Sequence, residues 1–97
     1  MFRHVVVFTW TPDSAPEQRD GAVAALRDWV VQAAEFGTVS VGVDAGIAEG
    51  NGDVAVVVDV PDKDTYLAYA ADDRHQALVR DHIRPILAAR AAVQYEL

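Results

Sequence analysis

The chain has 97 residues, which is enough for one compact domain over residues 1–97 and too few for two. It carries 15 acidic and 8 basic side chains, and the resulting net charge of −7 opposes binding to nucleic acids and to anionic membranes. Cysteine is absent, which excludes disulfides, thiol catalysis and zinc–thiolate sites, and the lack of a signal peptide or a long apolar run favours a cytoplasmic location.

Seven segments each show either a strand-like or a helix-like hydrophobic period, and glycine, proline and acidic residues separate them. In chain order they are the strand Phe2–Trp10, a helix from Pro16 to about Phe36, the strands Thr38–Val43 and Asp53–Val60, the helix Thr65–Ala71, a helix from His75 to about Leu87, and the strand Ala91–Leu97. We expect Ser14 to cap the first helix and Gly37 to end it as its C′ residue. Asp62 or Asp64 is expected to cap the second helix. This order predicts an α+β, ferredoxin-like fold, with a four-stranded antiparallel sheet and helices on one of its faces.

The third helix combines a histidine at its start with a proline near its end. Asp72 and Asp73 form an N-cap signature ahead of His75, and Pro85 is expected to end or kink the helix. Its inward stripe is predicted to comprise Leu78, Val79, His82, Ile83 and Ile86. Because His82 lies seven residues after His75, about 10 Å along the axis, the two cannot share a metal ion. We therefore expect no metal site. No cofactor is expected either.

The predicted sheet has more apolar surface than helices on one face can cover. The first strand presents Val5 and Val7 on one side. Its other side carries Val6, Phe8 and Trp10. A monomer would leave an apolar patch of roughly several hundred Å² in water. We therefore predict a homodimer formed through the sheet faces, enclosing a barrel-like interior that can hold a small molecule.

The stretch from Tyr66 to Pro85 contains most of the reactive side chains. Tyr66 and Tyr69 share one face of a helix, and His75 follows in the first turn of the next, where backbone N–H groups disfavour an imidazolium. A neutral imidazole beside a phenol can bind a small polar molecule or move a proton at neutral pH. The same spacing is also typical of tyrosines that pack in a core and of a hydrogen-bonded surface histidine. The interpretation that these residues have only a structural role therefore stays open.

Three side chains of the first strand complete the candidate site. His4 alternates with apolar residues and is expected to face the barrel interior, where it needs a polar partner because unpaired burial costs about 1–3 kcal/mol. Phe8 and Trp10 either line a ligand pocket or pack in the core or the dimer contact. The arginines between positions 80 and 90 either bind a carboxylate or form surface ion pairs.

Three segments carry a family resemblance: RHVVVFTW in the first strand, YAADDRHQALVRDHIRPI around the last helix, and AAVQYEL at the end of the chain. With them, essentially the whole chain resembles the Dabb family of stress-responsive dimeric α/β-barrel domains. The resemblance implies the sheet-to-sheet homodimer inferred above. The chain departs from the family in having Asp72-Asp73 where His-Pro is frequent and Thr9 where lysine is frequent.

The abundance of alanine and arginine with a single lysine is typical of a high-GC bacterial genome.

The resemblance also implies site residues and candidate functions. One plant member of the family closes a polyketide by aldol condensation, with a tyrosine and a histidine that fall on Tyr69 and His75 and a pocket histidine that falls on His4. In that role His75 acts as general base and Tyr69 stabilises a developing enolate. We therefore expect a dimer that binds a small, largely apolar molecule. Whether it also catalyses cyclase or isomerase chemistry through Tyr69 and His75 stays open. Two alternatives stay open: a non-catalytic stress-associated dimer, and a cofactor-free monooxygenase of the antibiotic-biosynthesis type.

Overall fold

The computed structural model describes all 97 residues, which form one antiparallel sheet and three helices. The elements are β1 (Phe2–Trp10), α1 (Pro16–Gln32), β2 (Thr38–Val43), β3 (Val54–Val60), α2 (Lys63–Ala71), α3 (Asp73–Leu78) and β4 (Leu87–Glu96). The strand order is β2-β3-β1-β4, and every neighbouring pair is antiparallel. This topology confirms the ferredoxin-like prediction. None of the helices has the length and apolar character needed to cross a bilayer.

The core lies between the sheet and the helices because β1 and β3 alternate in phase. Val6 of β1 pairs with Val56 of β3, and His4 pairs with Val58, so these side chains share one face of the sheet. The same face of both strands is buried along its length, whereas the opposite face is partly open. α1 covers this face with an apolar stripe that includes Leu26 and Trp29.

The prediction that Ser14 caps α1 was wrong. The cap residue is Ala15, whose N–H donates to the side-chain oxygen of Gln18, whereas the Ser14 hydroxyl donates to the carbonyl of Thr11. The predicted place of Gly37 is confirmed, because it directly follows Phe36, the C-cap of the 3₁₀ turn Ala33–Glu35 that continues α1. Gly37 does not have a positive φ. It is glycine because a Cβ atom at this position would overlap the carbonyl oxygen of Asp59 on β3.

The helical path of α3 continues without a break as a π-helical turn at Val79–Ile83 and a 3₁₀ turn at Arg84–Ile86. The π turn brings residue i+5 above residue i, so Ile83 follows Leu78 on the buried side. His82 is exposed, and its predicted place in the inward stripe was therefore wrong. The expectation that Pro85 ends the helix is confirmed, since it lies in the last turn.

β4 is longer than predicted and is uncovered on both sides. It begins at Leu87, four residues earlier than the sequence indicated, and it pairs with the whole of β1 with an irregularity at Thr9/Trp10. Every residue of β4 after Leu87 is exposed. The outer face of the sheet, which points away from the helices, consists of the odd-numbered side chains of β1 and their register partners. Its apolar members are Val5, Val7, Ala55, Val57, Ala91, Val93 and Tyr95.

Candidate functional site

A cavity of about 420 Å³ opens between the sheet and the helices within one subunit. It brings together five of the six predicted site residues, namely His4, Phe8, Tyr66, Tyr69 and His75. Most of the remaining lining is apolar. A volume of this size lies in the range of small-molecule sites. The cavity therefore has the size and composition expected for binding a small, largely apolar ligand.

The position of the cavity differs from the sequence-based expectation. His4 was expected to face an interior enclosed by the sheets of two subunits. In the structure the even-numbered side chains of β1 point toward the helices, so His4 is buried under α2 and not on the outer face. The cavity therefore lies on the helix side of the sheet and not on its outer face.

Trp10 is the predicted site residue that the structure does not bring to this cavity. It lies at the far end of β1, where its ring stacks on Phe8 with centroids 5.8 Å apart. Its backbone N–H donates to the carboxylate of Asp53 at 2.7 Å. Trp10 closes the opposite end of the core. This agrees with the alternative prediction that Trp10 packs in the core and does not line a ligand pocket.

Tyr69 is held in the cavity wall by Trp29, which was not predicted to be a site residue. The indole Nε1–H of Trp29 donates to the Tyr69 hydroxyl oxygen at 2.8 Å. Because that oxygen accepts from the indole, the phenol keeps its own proton for another acceptor. Burial raises the pKa of Tyr69 to about 12, so the hydroxyl is protonated at neutral pH and serves as a hydrogen-bond donor.

The tautomer of His75 follows from its contact with the end of α2. Its Nδ1 lies 3.2 Å from the carbonyl oxygen of Ala70, which can only accept, so Nδ1 carries the proton and Nε2 has a free lone pair. Burial lowers the pKa of His75, although the Ala70 carbonyl opposes this effect. His75 is therefore a neutral imidazole at pH 7 with a basic Nε2.

His4 has the opposite tautomer. The side-chain amide of Gln94 on β4 donates to its Nδ1 at 2.8 Å, so the proton of the neutral ring lies on Nε2. Burial is the main cause that lowers the pKa of His4 to about 4, with smaller contributions from the positive charge of Arg90 and from the nearby His75. The expectation that a buried His4 needs a polar partner is confirmed. The partner itself was missed, although Gln94 is one of few polar residues on the closing strand.

Aromatic contacts link these groups into one cluster. The Tyr66 ring lies 4.9 Å from the His4 ring and 6.0 Å from the Tyr69 ring, measured between centroids. The rings of Tyr69 and His75 are 4.9 Å apart, and Trp29 contacts both. Asp72 fixes the start of α3 by accepting from the N–H of Arg74, as the N-cap signature predicted. Two hydrogen-bond donors, the Tyr69 hydroxyl and the His4 Nε2–H, and one base, the His75 Nε2, thus belong to residues that line the same largely apolar cavity.

Metal ligands are not grouped in this site. No set of three or more His, Asp or Glu side chains lies close enough to hold a metal ion anywhere in the chain. Tyr66, whose pKa is raised mainly by burial, is likewise a neutral phenol at pH 7. The lining side chains His4, Tyr69 and His75 can transfer protons and form hydrogen bonds.

Comparisons with known proteins agree with this architecture. Residues 2–97 match the sequence profile of the stress responsive A/B barrel domain, called Dabb. A dimeric ferredoxin-like protein of unknown function from Thermobifida fusca is 35% identical, with a TM-score of 0.88 over 99% of this chain and 90% of that one. A dimeric protein of unknown function with a ferredoxin-like fold from Bacteroides fragilis is 19% identical, with a TM-score of 0.85 over 99% and 95% of the two chains. A Dabb family protein from Mesorhizobium loti is 18% identical, with a TM-score of 0.81 over 99% and 95%. No curated protein sequence matches significantly.

Proposed function

This chain belongs to the Dabb family of stress-responsive A/B barrel domains, and we propose that it is a homodimer whose subunits each bind a small, largely apolar carbonyl compound. In this proposal the bound compound loses a proton from the carbon next to its carbonyl. The resulting enolate either attacks a second carbonyl of the same molecule, as in a cyclase, or is reprotonated elsewhere, as in an isomerase. The association with stress is supported by the family description alone.

The observation that supports the chemistry is the pair of neutral histidines with opposite tautomers on one cavity. The Nε2 of His75 can accept a proton, whereas the Nε2–H of His4 and the hydroxyl of Tyr69 can donate hydrogen bonds. Donors placed at a carbonyl oxygen stabilise the charge that develops on it as the adjacent C–H bond breaks. The proton moves to His75, giving an imidazolium that can return it to carbon or oxygen.

The lowered pKa of His75 suits it to this role at neutral pH. A general base must be unprotonated to act, and the lowered pKa keeps the imidazole unprotonated even somewhat below its usual pKa. Tyr69 remains protonated because its pKa is about 12. The two groups therefore do not exchange a proton with each other, and each keeps a distinct role.

Proton–deuterium exchange tests the base directly and needs no knowledge of the natural substrate. The dimer is incubated in D₂O with phenylacetone, a small apolar ketone, and loss of the α-proton signals is followed by NMR. We expect His75→Gln to lose about 10²–10⁴-fold of the protein-catalysed rate. His82→Gln changes an exposed histidine seven residues away and should keep the wild-type rate. Exchange by His75→Gln at the wild-type rate would refute His75 as the base.

The homodimer is supported by the outer face of the sheet. Val93 and Tyr95 on this face are 55% and 41% exposed, next to the partly exposed Val5 and Val7. The relative from Thermobifida fusca, which is 35% identical, is described as dimeric. A second copy packed on this face would remove the apolar side chains from water.

Sedimentation velocity tests the dimer. We expect wild type to sediment as a dimer at micromolar concentration, and Val93→Asp to shift it to a monomer because a buried carboxylate without a partner is unfavourable. Leu67→Asp introduces the same charge at a 52% exposed leucine of α2, on the opposite side of the subunit, and should remain dimeric. A wild-type monomer at micromolar concentration contradicts the proposal.

A non-catalytic dimer is the second candidate, and the same outer face favours it. The apolar outer face and the cavity lie on opposite sides of the sheet, so dimerisation does not require a ligand. A stable dimer that shows neither ligand-induced stabilisation nor α-proton exchange would support this candidate. A monooxygenase activity stays a prediction, and oxygen consumption with aromatic substrates would test it.

A further inference from the structure

Two arginines of this chain have no partner within the protein, and both line the cavity. Only one of the eight basic residues is a lysine, which leaves seven arginines. Five of them donate to carboxylates, a hydroxyl or carbonyl groups: Arg3, Arg19, Arg27, Arg74 and Arg80. The remaining two, Arg84 and Arg90, form no ion pair and no hydrogen bond, and they are the only charged residues of the cavity wall.

The positions of these arginines are set by the fold. Arg90 lies on β4 opposite Phe8 of β1, on the side of the sheet that faces the cavity. Arg84 lies in the turn that connects the last helical segment to β4. No acidic residue lines the cavity, although the chain has 15 of them. In so acidic a protein, two arginines without carboxylate partners at one site leave their positive charge available to an anionic ligand.

The charge of Arg90 also reaches the reactive groups. It contributes to the lowered pKa of both His4 and His75, and it opposes the rise in the pKa of Tyr66. An anion at Arg90 would therefore lie close enough to interact with the groups proposed to act on a carbonyl. The arginines and the catalytic candidates belong to one site.

Building on the proposed function, we propose that the ligand is a small monocarboxylic acid with an apolar body, whose carboxylate is bound by Arg90 and Arg84. The planar guanidinium group matches a carboxylate with two parallel hydrogen bonds, which fixes both the position and the orientation of the acid. The apolar body then fills the space among Phe8, Tyr66 and Leu78. A keto acid held in this way would present its carbonyl group to Tyr69 and His4.

Isothermal titration of the wild-type protein with a matched pair of compounds tests this inference. The probes are 3-phenylpropanoate and its neutral amide, 3-phenylpropanamide, with inorganic phosphate as the control for anion binding without an apolar body. We expect the acid to bind about tenfold more tightly than the amide. Raising the salt concentration from about 50 to 500 mM should weaken binding of the acid and leave the amide unchanged.

Substitutions assign the effect to the arginines. Arg90→Gln and Arg84→Gln should each weaken binding of the acid several-fold, up to about tenfold, and leave binding of the amide unchanged. Both side chains are exposed, and glutamine keeps part of their aliphatic stem, so the fold should be retained. Arg80→Gln is the matched control, because Arg80 pairs with Asp81 and does not line the cavity.

The outcomes separate this inference from the proposed function. Equal binding of acid and amide, or unchanged acid binding in both cavity variants, would overturn the carboxylate inference while small-molecule binding in the cavity still stands. Phosphate binding as tight as that of the acid would also overturn it, since the apolar body would then contribute nothing. If neither acid nor amide binds while the ketone is still exchanged, the ligand class is wrong but the proposed function survives. Failure of both assays rejects the two together.

Discussion

Acidification between pH 6.5 and 4 should destabilise the folded protein through His4. The folded state keeps this imidazole neutral, since burial lowers its pKa from 6.5 to about 4. The unfolded chain binds a proton at His4 once the pH falls below its ordinary pKa, whereas the folded protein does not. The free energy of unfolding therefore falls as the pH decreases through this window. The part of this fall that is due to His4 levels off below pH 4.

The size of the effect follows from the pKa change. Each unit of difference in pKa corresponds to about 1.4 kcal/mol, so His4 accounts for a loss of up to about 3 kcal/mol. His75 contributes in the same direction, because its pKa is also lowered. Carboxylates such as Asp72, with a folded-state pKa of about 2, lose their stabilising effect only below their ordinary value of 3.8. The histidine effect is therefore separated from them on the pH axis.

Urea unfolding at pH 7.5, 6.5, 5.5 and 4.5 measures this effect, at a fixed protein concentration because the proposed dimerisation would also contribute to stability. We expect His4→Gln, in which an amide replaces the titrating ring, to have a much shallower decline than wild type. His82→Gln replaces an exposed ring and should follow the wild-type curve. An NMR titration of His4 in wild type is independent of the variant. A midpoint near 6.5, or a decline in His4→Gln equal to that of wild type, would refute the reasoning.

Three further substitutions test the packing around the site. Gly37→Ala should lower the free energy of unfolding by about 1–3 kcal/mol in urea titrations, since its Cβ overlaps the Asp59 carbonyl. Gly21→Ala, where nothing lies within 4 Å of the new Cβ, should instead raise it by about 1 kcal/mol, and destabilisation there would contradict the structure. Tyr69→Phe leaves the buried Trp29 N–H without an acceptor and should cost about 1–3 kcal/mol with a change in tryptophan fluorescence. An unaltered stability and spectrum would exclude this hydrogen bond.

The order of strands and helices could be predicted because the alternation of apolar residues is regular in the strands that form the centre of the sheet. The valines of β3 alternate from Val54 to Val60, and Pro61 follows directly. The prediction failed at the start of β4, where Leu87, Ala88 and Ala89 favour a helix. In the structure these residues pair with the end of β1, and this long-range pairing overrides the local preference.

The candidate site was predictable in composition but not in position. The spacing of Tyr66, Tyr69 and His75, with the family resemblance, identified groups that the fold does bring together. The sequence does not show that the cavity lies under the helices, because both faces of β1 are apolar and either one fits a pocket. The tautomers depend on Ala70 and Gln94, contacts that arise only when α2, α3 and β4 are assembled.

The register of β1 connects the two proposed functions, assembly and chemistry. Odd-numbered side chains of β1 lie on the outer face, and even-numbered ones face the cavity, so a shift by one residue would exchange the two sets. Two polar pairs oppose such a shift. Arg3 lies opposite Asp59 and forms two hydrogen bonds with it, and His4 lies opposite Gln94 and accepts one from it. Because a slipped strand would bury Arg3 and expose His4, these two polar pairs fix the side chains of both the cavity and the proposed dimer face.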